Sequence, residues 1–416
     1  MIKSLKFHIK NLNSHQFEML NNMCVSSRKL YNCAVYVCRA YFETNKKYIG
    51  YLKLYHEMKD NMHYKALPAK IAQQILKLLD KNYISFFKLL KLKLAGQYDK
   101  DVSPPKFKKK NSKFILILPN DQIKFRDSYL KITKDIKMPF SYPGLNPNDI
   151  KQAIIIPSNY DQKYFTLCLT YQAESSSSEK DSARMLSIDL GINNLASCFS
   201  NVGPSFIMNG KPLKSYNQLY NKRKSAFQSE LQICNKLDYS KKLDHLSENR
   251  HNWINNYFNQ TISYIMKFCK QYDIGKIILG YNQEWKQDIN IGKKNNQAFC
   301  DIPFFKFKRK LISKCLENNI VLVIQEESYT SKCSFLDNER VEKHDQYLGK
   351  RIRRGLFKTS KGTLCNADVN GAANTMEKHV VSELGSVDKN KEIEGYIVSP
   401  VVLKTPFNRM SLTCEA

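Results

Sequence analysis

The sequence predicts an α/β plus β chain of two lobes, and three observations carry that prediction. A strand with alternating basic and apolar residues opens the chain and is followed by a long helical stretch before further short strands. A polar serine run near residue 175 then divides the chain. Beyond it the element order is three strands, helix, strand, helix, strand, helix, which is the order of an RNase H-like fold.

In the first lobe, MIKSLKFHIK alternates at period two and reads as a strand. From Ser14 to about Leu94 the apolar period becomes three to four, as in Leu30, Ala34, Val37 and Tyr41, or Ile71, Ile75, Leu78 and Leu79. The prolines of Ser103-Pro104-Pro105-Lys106-Phe107-Lys108-Lys109-Lys110 break that helix. Short strands are expected at 114–118, 129–132, 153–157 and 164–171. Together these predict a β-barrel over 1–15 and 103–174, interrupted by a helical insert over 16–102. The Ser175–Ser178 run, continuing as Glu-Lys-Asp-Ser, predicts a linker over 175–182.

In the second lobe, MLSIDLG, LASCFSN and SFIMNG predict an antiparallel meander. Two polar helical stretches follow from about 215 to 271, then a strand at Lys276–Leu279, a helix over about 304–318, the strand IVLVIQEE and a helix from about Asp368. Residues 379–416 read as a tail, and no internal repeat is present.

Sixty-six Lys and Arg against 38 Asp and Glu leave a formal charge of +28, too basic for an ordinary metabolic enzyme. Such an excess implies a polyanionic partner, because cationic side chains release counterions from phosphates; a surface kept soluble by like charge is the alternative. At 42% apolar and 12% aromatic residues the chain can bury cores in two or three domains, which excludes global disorder. No apolar run approaches the roughly 20 residues of a membrane span, and the start has no signal-peptide pattern. The expected location is therefore cytoplasmic and nucleoid-associated in a prokaryote, or nuclear in a eukaryote. Twelve cysteines are scattered without a C-x-x-C pair and mostly inside apolar segments, as reduced core thiols would be.

Asp189 ends a buried strand in Ser187-Ile188-Asp189-Leu190-Gly191. A carboxylate there needs a cation or hydrogen bonds, and a cation ligand and an Asx-turn aspartate fit the position equally. Asp368 stands at the start of a helix rich in small residues, where an N-cap would also fit.

Three blocks in order, D-L-G-I-N-N-L-A from Asp189, Tyr329-Thr330-Ser331-Lys332, and N-A-D-V-N-G-A-A-N from Asn366, resemble the RuvC nuclease domain of transposon-encoded TnpB (OrfB) proteins. These are relatives of Fanzor proteins and type V CRISPR effectors. The Leu30-Tyr31-Asn32 helix, the segment from Leu67 to Leu76 and the Pro105-Lys106-Phe107 turn are similar to the same family. The resemblance implies an RNA-guided DNA endonuclease with a wedge-like N-terminal barrel, a helical recognition insert and a RuvC domain over 183–378. Its implied partners are a transposon-encoded guide RNA and double-stranded target DNA beside a short motif; the sequence leaves the oligomeric state open, with a monomer favoured. It also implies two Mg2+ ions, with Mn2+ as a substitute, held between an Asp, a Glu and a second Asp, since hard cations take carboxylate oxygens.

The sequence departs from the family pattern in two places. Gly280 stands where the glutamate usually ends its strand, in Ile277-Ile278-Leu279-Gly280-Tyr281-Asn282. The next strand of such a sheet lies about 4.8 Å away, so a carboxylate at its end reaches the same cation and Gly280 leaves the room. Rearranged family members carry the acid three residues before Thr-Ser-Lys, which assigns Asp189, Glu327 and Asp368 as catalytic metal ligands. Glu326 should face away unless a bulge intervenes; it and Glu284 are the alternative acids. Gly280 also raises a nuclease-inactive RNA-guided repressor, and a DNA transposase working without guide RNA is a third reading. In the second departure, the usual zinc ribbon is reduced to Cys333, His344 and Cys365 within about 333–365. Tetrahedral zinc needs four ligands, so structural zinc is expected to be absent and a hydrogen-bonded loop to replace it.

For nucleic-acid contact, Lys350, Arg351, Arg353 and Arg354 form the densest basic cluster of the second lobe; a solvated loop is the alternative. Lys106, Lys108, Lys109 and Lys110 interleave with Phe107. Lys293 and Lys294 are expected in a loop after the glycine-ended strand, and Lys332 lies in the Thr-Ser-Lys block. Gln73 and Gln74 are candidates for reading the target-adjacent motif, although surface glutamines fit as well. The histidines form no triad pattern.

Overall fold

The computed structural model describes residues 2–9, 12–126, 129–131, 136–139, 145–158, 164–173, 180–235, 240–282, 292–383 and 391–403. The chain divides into two units, Met1–Glu174 and Ser175–Ala416. None of its described helices is long and apolar enough to cross a membrane.

In the first unit β1 (Ile2–Ile9) turns Leu5, Phe7 and Ile9 inward by simple alternation. Four helices follow: α1 (Ser14–Asn45), α2 (Gly50–Met58), α3 (Met62–Lys65) and α4 (Ala69–Leu94). A capping box starts α1, with Asn13 and Gln16 each bonding the other's backbone amide, and Lys46 ends it in the left-handed region. On α4 the buried stripe Ile71, Ile75, Leu79 and Tyr83 joins Leu30, Ala34 and Val35 of α1 in one core. Six strands complete the unit: β2 (Leu116–Pro119), β3 (Lys124–Arg126), β4 (Tyr129–Lys131), β5 (Lys137–Pro139), β6 (Ile150–Pro157) and β7 (Phe165–Gln172). They form an antiparallel sheet in the order β1-β7-β6-β2 and a small sheet β3-β4-β5.

The second unit opens with β8 (Met185–Leu190), β9 (Asn194–Ser200), β10 (Phe206–Asn209), α5 (Lys211–Asn235), α6 (Lys241–Gln271), β11 (Lys276–Gly280), α7 (Lys293–Asp301), α8 (Phe304–Glu317) and β12 (Val321–Gln325). It closes with β13 (Lys350–Arg353), β14 (Leu356–Lys358), β15 (Leu364–Asn366), α9 (Ala367–Glu383), α10 (Lys391–Val398) and β16 (Val401–Leu403). The main sheet runs β12-β11-β8-β9-β10-β16. Its meander β8-β9-β10 is antiparallel, while β11 and β12 add in parallel to β8.

Period-two alternation sorts the two faces of this sheet. Leu186, Ile188 and Leu190 join Phe258, Ile265, Phe307 and Leu311 of α6 and α8 on one face. Met185 packs with Val369, Ala372, Ala373 and Met376 of α9 on the other. The small residues of α9 permit close approach: the Ser187 hydroxyl donates to the Ala372 carbonyl at 2.6 Å.

Three regions differ from the sequence expectation. Residues 293–301 are helical where a loop is expected, and the segment after Ser334 carries its own three-stranded sheet β13-β14-β15. Where a tail is expected from 379, α9 runs on to Glu383, α10 packs into the second core and β16 pairs with the edge of β10. The short final strand has too few residues to display a period.

Candidate active site

Asp189 is one step beyond Ile188 on β8, so it faces α9 with Ser187 and Met185. On α9, Gly371 lies against it: a Cβ there would stand 3.2 Å from Asp189 Oδ2. Neighbouring β11 ends at Gly280, whose partner across the parallel ladder is Gln325 of β12. Two residues further, the Glu327 side chain passes over Gly280, where an added Cβ would come within 2.9 Å of Glu327 Cγ. Asn282 fixes this turn by accepting the Glu327 amide at 3.0 Å.

The Asp189 and Glu327 carboxyls are neighbours, and the Glu327 Oε1 atom is buried without a hydrogen-bond partner. Burial, followed by the nearby charges of Glu327 and Asp368, holds Asp189 well above the usual carboxylate range. Burial pushes Glu327 up to about 7. Glu326 points elsewhere, accepting from Lys378 at 2.6 Å and from the Ser328 amide at 2.8 Å. Glu284 lies outside the described residues.

Asp368 is in the first turn of α9 but does not cap it. Asn366 does, accepting the amides of Asp368 at 3.0 Å and Val369 at 3.1 Å. The freed carboxylate faces a cleft of about 190 Å³ lined by Asp189, Asn193, Asn194, Arg351, Arg354 and Asp368. Arg351 donates to Asp368 Oδ1 at 2.8 Å and Asn194 to its Oδ2 at 2.7 Å. Asp368 therefore acts on Asp189 through its charge, while an arginine and an amide occupy its oxygens. Among the described residues no three His, Cys, Asp or Glu side chains converge closely enough to hold a metal ion. The Asp189–Glu327 pair with its orphaned oxygen is nonetheless hard-oxygen chemistry suited to a divalent cation.

Sequence reasoning missed the asparagines that build this site. Asn370 and Asn374 both donate to the Cys333 carbonyl, at 2.8 and 2.7 Å, and Asn374 also donates to Thr330, tying the Thr-Ser-Lys segment to α9. Asn366, two residues before Asp368, was a detectable capping signal. The segment after Cys333 is stitched by acids: Asp337 accepts from Ser334 and Ser360, and Glu339 from the amides of Ser334 and Leu348. Cys333 bonds the Glu342 carbonyl and His344 the Arg340 carbonyl; Cys365 is buried in β15 with its thiol pushed up to about 11.

The basic candidates separate. Lys350, Arg351, Arg353 and Arg354 are exposed on β13 and its turn. Lys106, Lys109 and Lys110 are exposed, but Lys108 folds over the Tyr31 and Phe114 rings at 5.0 Å, and Arg39 covers Phe107 at 4.6 Å. The exposed Lys332 lies over the Tyr347 ring at 5.7 Å. Gln73 and Gln74 are partly buried on α4, Gln73 beside the Tyr64 hydroxyl. Lys293 and Lys294 start α7, and their side chains lie outside the described residues.

The family model OrfB_IS605, described as "Probable transposase", matches residues 168–286, and the model of the Cas12f1-like TNB domain matches residues 304–375. The TnpB-like protein ORF457 of Acidianus two-tailed virus is 26% identical, over 91% of this chain and 87% of that protein. A chain of the Cas12f1-sgRNA-target DNA complex aligns with a TM-score of 0.57 at 14% identity, covering 87% of this chain and 83% of that one. At that identity the likeness is one of fold. The chain thus resembles the TnpB family in sequence and Cas12f1 in architecture.

Proposed function

We propose that the chain is an RNA-guided DNA endonuclease whose second unit is a RuvC-type, RNase H-like nuclease. The observation that carries this reading is the buried, unpartnered Glu327 Oε1 set beside Asp189 in the room left by Gly280. Two adjacent carboxyls are costly in a folded chain unless a cation or a shared proton offsets their repulsion. Asp189 and Glu327 would hold Mg2+, with Asp368 as the third acid. Bound there, Mg2+ supplies Lewis acidity and an activated water for phosphodiester hydrolysis.

The chain's own residues would do the rest. The exposed Lys350, Arg353 and Arg354 would grip a phosphate backbone beside the acids, and Asn282 would keep Glu327 turned toward Asp189. Sequence choice would come from pairing between guide RNA and target DNA, the protein sensing backbone geometry and a short adjacent motif. The TnpB and Cas12f1 likenesses support guide RNA and DNA as partners. In this reading residues 1–15 and 103–174 are the wedge-like part, 16–102 the recognition insert and about 333–365 the remnant of the zinc ribbon.

A second reading is favoured by the occupied oxygens of Asp368: a guided DNA binder that does not cut. RNA co-purified with the chain and sequenced, then supplied with Mg2+ and a matched duplex, separates them. Cleavage supports the nuclease, retention of uncut duplex supports the binder, and strand joining without RNA would instead indicate a transposase.

A further inference from the structure

Resting on the nuclease reading, we propose that Arg351 is a resident counter-cation that keeps Asp368 out of the carboxylate site until a nucleic-acid phosphate draws the arginine away. Arg351 is presented by a register shift in the β13–β14 hairpin, between Arg351 and Arg353. Such a bulge re-aims a side chain, here toward Asp368 at the start of α9. Its guanidinium takes one Asp368 oxygen at 2.8 Å and Asn194 takes the other at 2.7 Å, so each oxygen already has a donor that a metal ion would have to compete with. Arg354, in the turn after β13, faces the side-chain amide of Asn193 on the same cleft. A divalent cation and Arg351 therefore compete for the same carboxylate.

The lock is weak enough to open. The Arg351 side chain is 42% exposed and that of Asp368 29%, and ion pairs this accessible to water contribute little. A phosphate offers the guanidinium a bidentate partner of equal or greater strength. Arrival of a strand on the hairpin would thus assemble the three-acid site, coupling metal affinity to the presence of substrate.

The test is Mn2+ binding to the full chain without RNA or DNA, followed by electron paramagnetic resonance and checked by melting curves, since Arg351 is exposed and its replacement leaves the core intact. Arg351→Gln should tighten Mn2+ binding by up to about fivefold, Arg351→Lys should fall between it and the parent, and adding Asp368→Asn to Arg351→Gln should abolish the gain. A non-complementary single-stranded oligonucleotide, corrected for the Mn2+ it binds alone, should tighten Mn2+ binding in the parent but not in Arg351→Gln. Equal affinities of parent and Arg351→Gln would overturn the lock. If Asp189→Asn leaves Mn2+ binding unchanged, the nuclease reading itself fails, a result distinct from failure of the lock.

Discussion

Gly280 and Glu327 occupy one volume from two neighbouring strands: a Cβ on the glycine would stand 2.8 Å from the glutamate's Cδ. The missing acid of one strand and the extra acid after the next are therefore a single substitution in space. Gly280→Ala should displace the Glu327 carboxylate at a cost of only about 1 kcal/mol, because a flexible side-chain end can swing aside. Cleavage should fall while guide RNA and target binding persist. The exchange Gly280→Glu with Glu327→Gly should recover part of the activity that Glu327→Gly alone removes, measured on a labelled duplex.

Glu327 and its neighbour should separate sharply. Glu327→Gln should lower cleavage by on the order of 10³-fold, with assembly intact in a gel-shift assay. Glu326→Gln, which breaks only the contact with Lys378 and Ser328, should cut at near the parent rate. The reverse ranking would move the role to Glu326.

Stability of the metal-free chain should decline with rising pH. Glu327 is raised from 4.5 to about 7 and Asp189 is raised with it, so the folded chain binds these protons more tightly than the unfolded chain. The Glu327 contribution is full below the unfolded value and is lost as pH passes through the folded value, a window of 4.5 to about 7, and that of Asp189 is lost in the same direction. Urea unfolding at pH 5 and pH 8 should show the difference, Glu327→Gln should flatten it, and Mn2+ should restore stability at pH 8.

Removing the cap of α9 should be felt in the fold before the chemistry. Asn366→Ala frees two amides and should cost about 1 kcal/mol, a fall of roughly 2–4 °C in the melting midpoint by calorimetry. Asn366→Asp, which keeps the acceptor, should melt near the parent.

Much of this site was legible in the primary structure because strand alternation is strict. Asp189 follows Ile188, so its face is set once the leucines and isoleucines of β8 are assigned to the α6 and α8 side. Glu327 was indicated by the family resemblance, which places an acid three residues before Thr-Ser-Lys, together with the glycine that leaves it room. Arg351 could not: a cluster of exposed cations looks the same whether it awaits a phosphate or already holds a carboxylate 17 residues away. Nor could α7, whose polar Lys-Lys-Asn-Asn-Gln start carries no apolar period, or β16, whose pairing with β10 is set by contacts far along the chain. The thiols follow composition: Cys24, Cys38, Cys198 and Cys269 are buried, unbridged and pushed up by burial, and Cys414 lies outside the described residues.

The parallel pairing of β16 with β10 bears on anyone seeking to shorten this molecule. Phe206 and Ile207 are almost wholly covered, and their strand pairs with β9 along one edge and with Val401–Leu403 along the other. A version trimmed after α9 would retain every acid and arginine discussed above yet bare a ready template for self-association. Loss of solubility in such a miniature would say nothing about its chemistry.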